Sequence, residues 1–274
     1  MQTRLVIIED MSSLSKKSLI VFDLDGTLAP SKSPLEPAMA KALTALLEEK
    51  KVAVIGGGSY EVFTDQFIKH LSCPKPLLAN LFLFPTTSTA FYRYKKGKWM
   101  KVYRRTLSMT DKKQIYRAFD EAFRMTGYVH PKKVWGTVIE DRGSQITFSA
   151  LGQDVVEKLG KKGLVMKEQW FKKNQPLRLK MVKIMKRKLK KFEVRSGGLT
   201  SIDITQKGID KAYGVRQIER HLKIPIKDMV FIGDALYKGG NDAAAKKTGI
   251  QAIPTTGPTN TIVIINKILG NGGK

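Results

Sequence analysis

The chain has 274 residues, 42% of them hydrophobic, enough to bury one large domain or two modest ones. Its single cysteine, Cys73, excludes an internal disulfide framework and a cysteine-built zinc site; no apolar run nears the roughly 20 residues of a membrane span, and residues 1–17 lack the apolar core of a signal peptide. Lys and Arg outnumber Asp and Glu by 49 to 24, a net charge of +25 that would attract nucleic acid non-specifically and steer small anionic substrates. These features predict a soluble protein of the reducing cytoplasm. Segment 1–17 reads as a lead-in, with Met1 and Met11 as alternative starts.

Residues 18–22 (SLIVF) form an apolar run of β-formers followed by acids and glycine, the pattern of a buried parallel strand ending in a functional loop. From 36 to 50, Met39, Leu43, Leu46 and Leu47 share one helical face, and residues 51–55 (KVAVI) read as a second strand stopping at Gly56-Gly57-Gly58-Ser59. A helix is predicted over 60–71. Residues 90–94 and 99–103 flank a turn at Gly97 and read as an antiparallel hairpin, followed by a helix over 111–125. Residues 134–139 and 145–148 read as a further strand pair. The basic stretch 161–195, whose only acids are Glu168 and Glu193, mixes Met181, Ile184, Met185 and Leu189 with lysines as in a solvated amphipathic helix. Residues 201–204 could close an antiparallel sheet. Near the end, 229–232 (MVFI) and 251–253 read as buried strands. The fold class expected is α/β: a doubly wound, Rossmann-like parallel-sheet core at 1–84 and 205–274, with an inserted α+β cap on an antiparallel sheet at 85–204.

Asp23-Leu24-Asp25-Gly26-Thr27 sits where the first strand ends, the place at which open parallel sheets bind ligands. Neighbouring carboxylates repel unless a cation or proton offsets them. A hard divalent ion such as Mg2+, which takes one or two carboxylates plus phosphate and water, relieves that cost, and Asp234 after the third strand can complete the site. Taken singly, these residues have plainer roles: Asp25-Gly26 as a turn, Asp234 as a helix cap, Lys211 as a surface lysine.

DLDGT after an apolar strand and GDALYKGGND late in the chain resemble the first and last motifs of the haloacid dehalogenase superfamily. The size and position of the cap resemble subfamily IIB, and WGTVIEDRGSQITFSALGQ and SGGLTSIDITQKGIDKAYGVRQIE look like the eukaryotic-type phosphomannomutases within it. The resemblance implies a Mg2+-dependent enzyme working through an aspartyl-phosphate. By it, Asp23 would be nucleophile and metal ligand. Asp25 would be the general acid and base, with its carbonyl on the metal, and Lys211 the cation that neutralises phosphate. Asp234 would be the second metal carboxylate, and Asn241 and Asp242 would complete the surroundings of metal and lysine.

The sequence also departs from the pattern. The superfamily has a serine or threonine at the end of the second strand, where this chain has Gly56; Ser59, or the N–H groups of Gly57 and Gly58, would have to bind phosphate instead. Of the arginines with which phosphomannomutase caps hold a distal phosphate, Arg142 matches one, while Trp135 and Gln153 stand at two others; Lys32 replaces another arginine, and Ser201 and Asp203 match residues near the sugar. A mutase must grip phosphate at either end of its sugar, so these losses favour a phosphatase acting on a small phosphorylated metabolite such as a sugar phosphate. The alternatives are phosphomannomutase activity and a non-catalytic basic protein that binds nucleic acid. A homodimer through the cap is expected only by analogy with the phosphomannomutases.

Overall fold

A computed structural model describes residues 12–270 of the chain, so the alternative starts Met1 and Met11 lie outside the described residues. The chain divides into two compact units, one running to Val102 and resuming at Asp210, the other spanning Tyr103–Ile209.

The first unit is built on strands β1 (Leu19–Asp23), β2 (Lys51–Ile55), β3 (Leu81–Phe84), β4 (Ala90–Lys95), β5 (Lys98–Arg104), β10 (Met229–Gly233) and β11 (Gln251–Pro254), in the order β11-β10-β1-β2-β3-β4-β5. The five from β11 to β3 are parallel, and β4 pairs antiparallel with β3. Helices cover the sheet, and β1, β3 and β10 are buried along their whole length, which is why they read as unbroken apolar runs. Helix α1 (Pro37–Glu49) starts on a proline, whose fixed φ suits the first helical turn, and buries Met39, Leu43, Leu46 and Leu47, the face its periodicity predicts. Helix α2 is shorter than expected, Tyr60–Gln66, and passes into a 3-10 turn at Ile68–His70.

The expected division at 85 and 204 is corrected at both ends. The 90–104 hairpin, expected in the cap, continues the core sheet, because β3 supplies an edge to which β4 hydrogen-bonds. Its turn, Lys96 and Gly97, has φ of 53° and 76°, the pair of left-handed residues that matches strand twist in a two-residue hairpin.

In the second unit, strands β6 (Ile139–Asp141), β7 (Gln145–Ser149), β8 (Phe192–Ser196) and β9 (Ser201–Gln206) form an antiparallel sheet in the order β6-β7-β9-β8. Ile146, Phe148, Val194, Ile202 and Ile204 pack with Ile115 and Phe119 of α3 (Met109–Thr126) and Met181 and Met185 of α4 (Lys161–Lys188). Alternation sends Gln145, Thr147 and Ser149 to the opposite face of β7. Helix α3 opens on a Ser108–Asp111 capping box and ends at Gly127 in the left-handed region, φ 66°. Lys172, Lys173, Lys180, Lys183, Lys186 and Arg187 are exposed along α4, so most of the charge run is a solvated face. The run also hides β8: its alternate residues Glu193 and Arg195 are partly exposed, and their charges mask the strand pattern. The strand expected over 134–139 begins only at Ile139.

Candidate active site

Three parallel strands bring the site together. β1 lies between β10 and β2, with Phe22 opposite Ile232 and Asp23 opposite Ile55, so Asp23, Gly233-Asp234 and Gly56 emerge side by side at the carboxyl ends. Asp23 is 4% exposed and Lys211 3%. Lys211 opens helix α5 (Lys211–Leu222), whose N-cap Asp210 accepts the Tyr213 N–H at 2.9 Å, and this cap sets the direction from which the lysine enters. Its Nζ donates to Asp23 Oδ1 and, at 2.8 Å, to the carbonyl of Ile55, and lies 3.3 Å from Asp242 Oδ1. The Phe231 ring centroid is 5.7 Å from the same ammonium.

Asp242 is fully buried. Its Oδ2 accepts the Ala235 N–H at 3.2 Å, whereas Oδ1, although within ion-pair distance of Lys211, makes no hydrogen bond. Carboxylate oxygens of Asp23, Asp234 and Asp242 all lie within 4.8 Å of one another. Asp234 faces solvent, and its backbone N–H donates to Thr27 Oγ1 at 3.1 Å, which ties the first motif to the last. Gly26 is in the left-handed region, φ 82°, and a Cβ there would come within 2.5 Å of Asp234 Oδ2, so both the turn and the approach of the two acidic loops require glycine.

The electrostatics follow from burial. Desolvation pushes the Asp23 carboxyl up to about 8; Lys211 opposes this, and Asp242 and Asp25 add to it. Burial alone would lower Lys211, but the charges of Asp23 and Asp242 hold it above its ordinary value. Asp234 is also raised, first by partial desolvation and then by Asp242. With all three carboxylates ionised, one ammonium would leave two negative charges, and one buried oxygen lacks a hydrogen bond. That donor set is all oxygen, compact and short of positive charge, and it fits a hard divalent cation such as Mg2+.

The other expected residues are placed as follows. Asp25 is partly buried in the loop after β1, and its Oδ1 accepts the Lys32 N–H at 2.6 Å, with Lys32 itself at φ 56°. Lys32 therefore meets the first motif through its backbone. Asn241 is exposed and precedes a 3-10 turn at Asp242–Thr248. Ser59 caps α2, its hydroxyl accepting the Val62 N–H at 3.4 Å, which leaves its O–H donor unused by that contact. A Cβ on Gly56 would lie 3.0 Å from the Phe63 ring, so aromatic packing takes the place of the hydroxyl-bearing side chain expected at that strand end.

In the second unit, Arg142 is buried and its guanidinium is occupied: Nε and Nη2 meet Glu140 Oε2 at 2.8 and 2.7 Å, and Nη2 reaches Gln153 Oε1 at 3.3 Å. Asp203 Oδ1 accepts from Thr147 Oγ1 at 2.8 Å and Gln145 Nε2 at 3.2 Å. Ser201 lies at the start of β9, and its carbonyl accepts from Arg178 Nη1 at 3.4 Å. Arg178 was not singled out from sequence, being one cation among many. It is buried, and the same Nη1 also donates to the carbonyls of Gly197 at 2.9 Å and Gly198 at 2.5 Å, so it shapes the loop before Ser201. Burial lowers its pKa, with Asp203 opposing.

An open parallel sheet with strand-end acids after β1 and β10, interrupted by an α+β unit, defines a haloacid dehalogenase-type phosphohydrolase or phosphotransferase. Known structures share this fold: an IMP-nucleotidase of Plasmodium falciparum has a TM-score of 0.69 at 15% identity, covering 94% of this chain and 62% of that one. A trehalose-6-phosphate phosphatase of Aspergillus fumigatus has a TM-score of 0.51 at 15% identity, covering 97% and 98%. The family model for eukaryotic phosphomannomutase matches residues 39–271, and the chain belongs to that family. Similar relatives include a probable phosphomannomutase of Caenorhabditis elegans, 25% identical over 234 residues, covering 84% of this chain and 87% of the relative. Phosphomannomutase 2 of Dictyostelium discoideum is 23% identical over 261 residues, covering 93% and 97%. The chain is an enzyme of this phosphoryl-transfer group. Among the described residues, no helix is long and apolar enough to cross a membrane.

Proposed function

We propose that the chain interconverts mannose 6-phosphate and mannose 1-phosphate, with Asp23 carrying the phosphoryl group. The observation that supports this most is the buried Asp23–Lys211–Asp242 cluster beside Asp234, in a chain that the phosphomannomutase family matches from 39 to 271. A carboxylate attacks an anionic phosphate only where cations cancel the repulsion. Lys211 supplies one such charge, and Asp242 holds its ammonium against Asp23. Asp23, Asp234 and the Asp25 carbonyl would hold a magnesium ion, with Asn241 and Asp242 beside it, and the ion would supply the remaining neutralisation.

In the first half-reaction an Asp23 oxygen bonds to phosphorus as the bond to the sugar oxygen breaks, and Asp25 gives that oxygen its proton. In the second, Asp25 takes the proton of the accepting hydroxyl, which attacks the aspartyl-phosphate and frees Asp23.

A second reading, hydrolysis with water as the acceptor, is favoured by one observation in the cap unit. The matching arginine, Arg142, is already paired with Glu140 and Gln153, and Trp135 and Gln153 stand where further phosphate-gripping arginines are expected. Incubation with mannose 1-phosphate, Mg2+ and a hexose bisphosphate separates the two. Appearance of the 6-phosphate, dependent on the bisphosphate and without free phosphate, supports the mutase. Stoichiometric phosphate release without bisphosphate replaces it with the hydrolase. Asp23→Asn should reduce either activity by roughly 10⁴-fold or more; an undiminished variant would sink both.

A further inference from the structure

From Lys172 onward the solvent side of helix α4 is cationic. Lys172, Lys173, Lys180, Lys183, Lys186 and Arg187 are all exposed, and at about 100° per residue they fall within roughly 140° of one another, on a stripe about 22 Å long. Lys190 and Lys191, also exposed, extend it in the turn beyond the helix. The opposite side is spent on packing, with Met181, Val182, Ile184 and Met185 buried in the core of the second unit.

A solvated helix face ordinarily interleaves its charges, because acid–base pairs three or four residues apart support a helix and like pairs weaken it. Here Lys180–Lys183, Lys183–Lys186 and Lys183–Arg187 are like-charged neighbours, and no acid stands between Glu168 and Glu193. The second unit does form ion pairs: Lys112, Arg142, Lys158, Lys188 and Arg195 each meet a carboxylate, Lys188 reaching Glu121 at 2.5 Å. Among the described residues, none of the six stripe cations does so. Their mutual repulsion has no compensating contact inside the chain, and an external polyanion would relieve it.

We propose that this stripe is a docking surface for double-helical DNA, gripped through its phosphates without regard to sequence. The length of the row selects a polymer, since a small anion touches only one or two of these side chains. An α-helix is about 10–12 Å across and B-form DNA opens a major groove about 12 Å wide, so cations along both margins of the exposed face meet a phosphate row on each side. The deep, narrow major groove of an RNA duplex does not admit a helix in this way. Five of the six cations are lysines, point charges on flexible stems that suit phosphate oxygens better than the paired reading of bases. An anionic membrane is a poorer match, because the apolar side of α4 is already buried; among the described residues, Leu179 is the one large apolar side chain exposed between 172 and 191. Docking here is independent of what Asp23 does.

Fluorescence anisotropy of a labelled DNA duplex of about 20 base pairs, titrated with the full chain between about 50 and 200 mM salt, reads the number of phosphates engaged. The logarithm of affinity should fall against the logarithm of salt with a slope of about −5, as contacts from the six cations require. Lys180→Gln, Lys183→Gln, Lys186→Gln and Arg187→Gln together should bring the slope to about −2. The melting temperature of that variant should hold or rise, because like-charged pairs are removed and glutamine is a good helix former. A control with the same loss of charge, Lys75→Gln, Lys95→Gln, Lys98→Gln and Lys101→Gln, all exposed in the first unit, should keep the slope within about 1 of the unsubstituted chain. Equal losses in the two variants would overturn the stripe and leave only diffuse attraction to a chain of net charge +25. A slope shallower than about −2 in the unsubstituted chain overturns docking outright. An RNA duplex of the same sequence, phosphatidylserine–phosphatidylcholine vesicles and polyglutamate serve as competitors, and tighter binding of any of them overturns DNA as the partner. Should the fourfold variant melt lower than the parent, Lys172→Gln with Lys173→Gln decides: the slope should weaken by about 2, and an unchanged slope overturns the stripe.

Discussion

Replacing Lys211 by methionine, which keeps the stem and removes the ammonium, isolates the cation at the centre of the site. At 3.3 Å from Asp242 Oδ1, the attraction is roughly 5 kcal/mol at an effective dielectric of about 20. Removing one partner of a buried pair typically costs about 3–5 kcal/mol, because the other charge stays buried. That loss should come through Asp242, which is fully buried beside the ammonium. Asp23 adds a pH-dependent part. Its folded pKa of about 8 lies above its ordinary 3.8, so the folded state holds the extra proton and stability falls as pH rises through that window. With Lys211 present the fall ends near pH 8. Without it the Asp23 pKa moves higher, and the penalty should grow by about 1.4 kcal/mol per pH unit above 8. Urea unfolding in EDTA at pH 6, 7.5 and 9 measures both parts. Asp242→Asn in the Lys211→Met background should recover the neutral-pH loss, and Asp23→Asn should remove only the rise at high pH. A loss under about 1 kcal/mol at pH 7, or parallel pH profiles for the two proteins, would refute the account.

Mg2+ should raise the melting temperature by an increment that grows from pH 6 to 9, because Asp23, raised to about 8, must lose its proton to bind it; Asp23→Asn should flatten that growth in a thermal-shift titration. Gly56→Ser, which restores the superfamily residue type, should cost about 1–3 kcal/mol in chemical denaturation by pressing on Phe63 and Leu24, with no gain in activity. Arg178→Met should cost about 3 kcal/mol by stripping the carbonyls of Gly197, Gly198 and Ser201 of their shared donor, and hydrogen exchange should rise locally over 197–201.

The chemistry was legible in sequence wherever local pattern sets position. Apolar runs ending in DLDG and GD place Asp23, Asp25 and Asp234 at strand ends whatever the rest of the chain does, because a buried parallel strand has to be continuous and its first polar residues fall just outside it. Lys211 and Asp242 were reached through the family motif, since nothing in their local sequence separates a buried lysine from the many on the surface. The tertiary structure alone decided the rest. Whether 90–104 joins the cap or the core depends on an edge strand at 81–84 that is distant from its partner β2 in sequence. Ser59 is a helix cap and Arg142 is already paired because neighbours two or three residues away, and Gln153 from farther along, compete for the same polar atoms. Sequence by itself determined which groups stand at the strand ends; only the folded chain determined which of them are left free to meet a phosphate, because that depends on how packing and hydrogen bonds divide the available atoms.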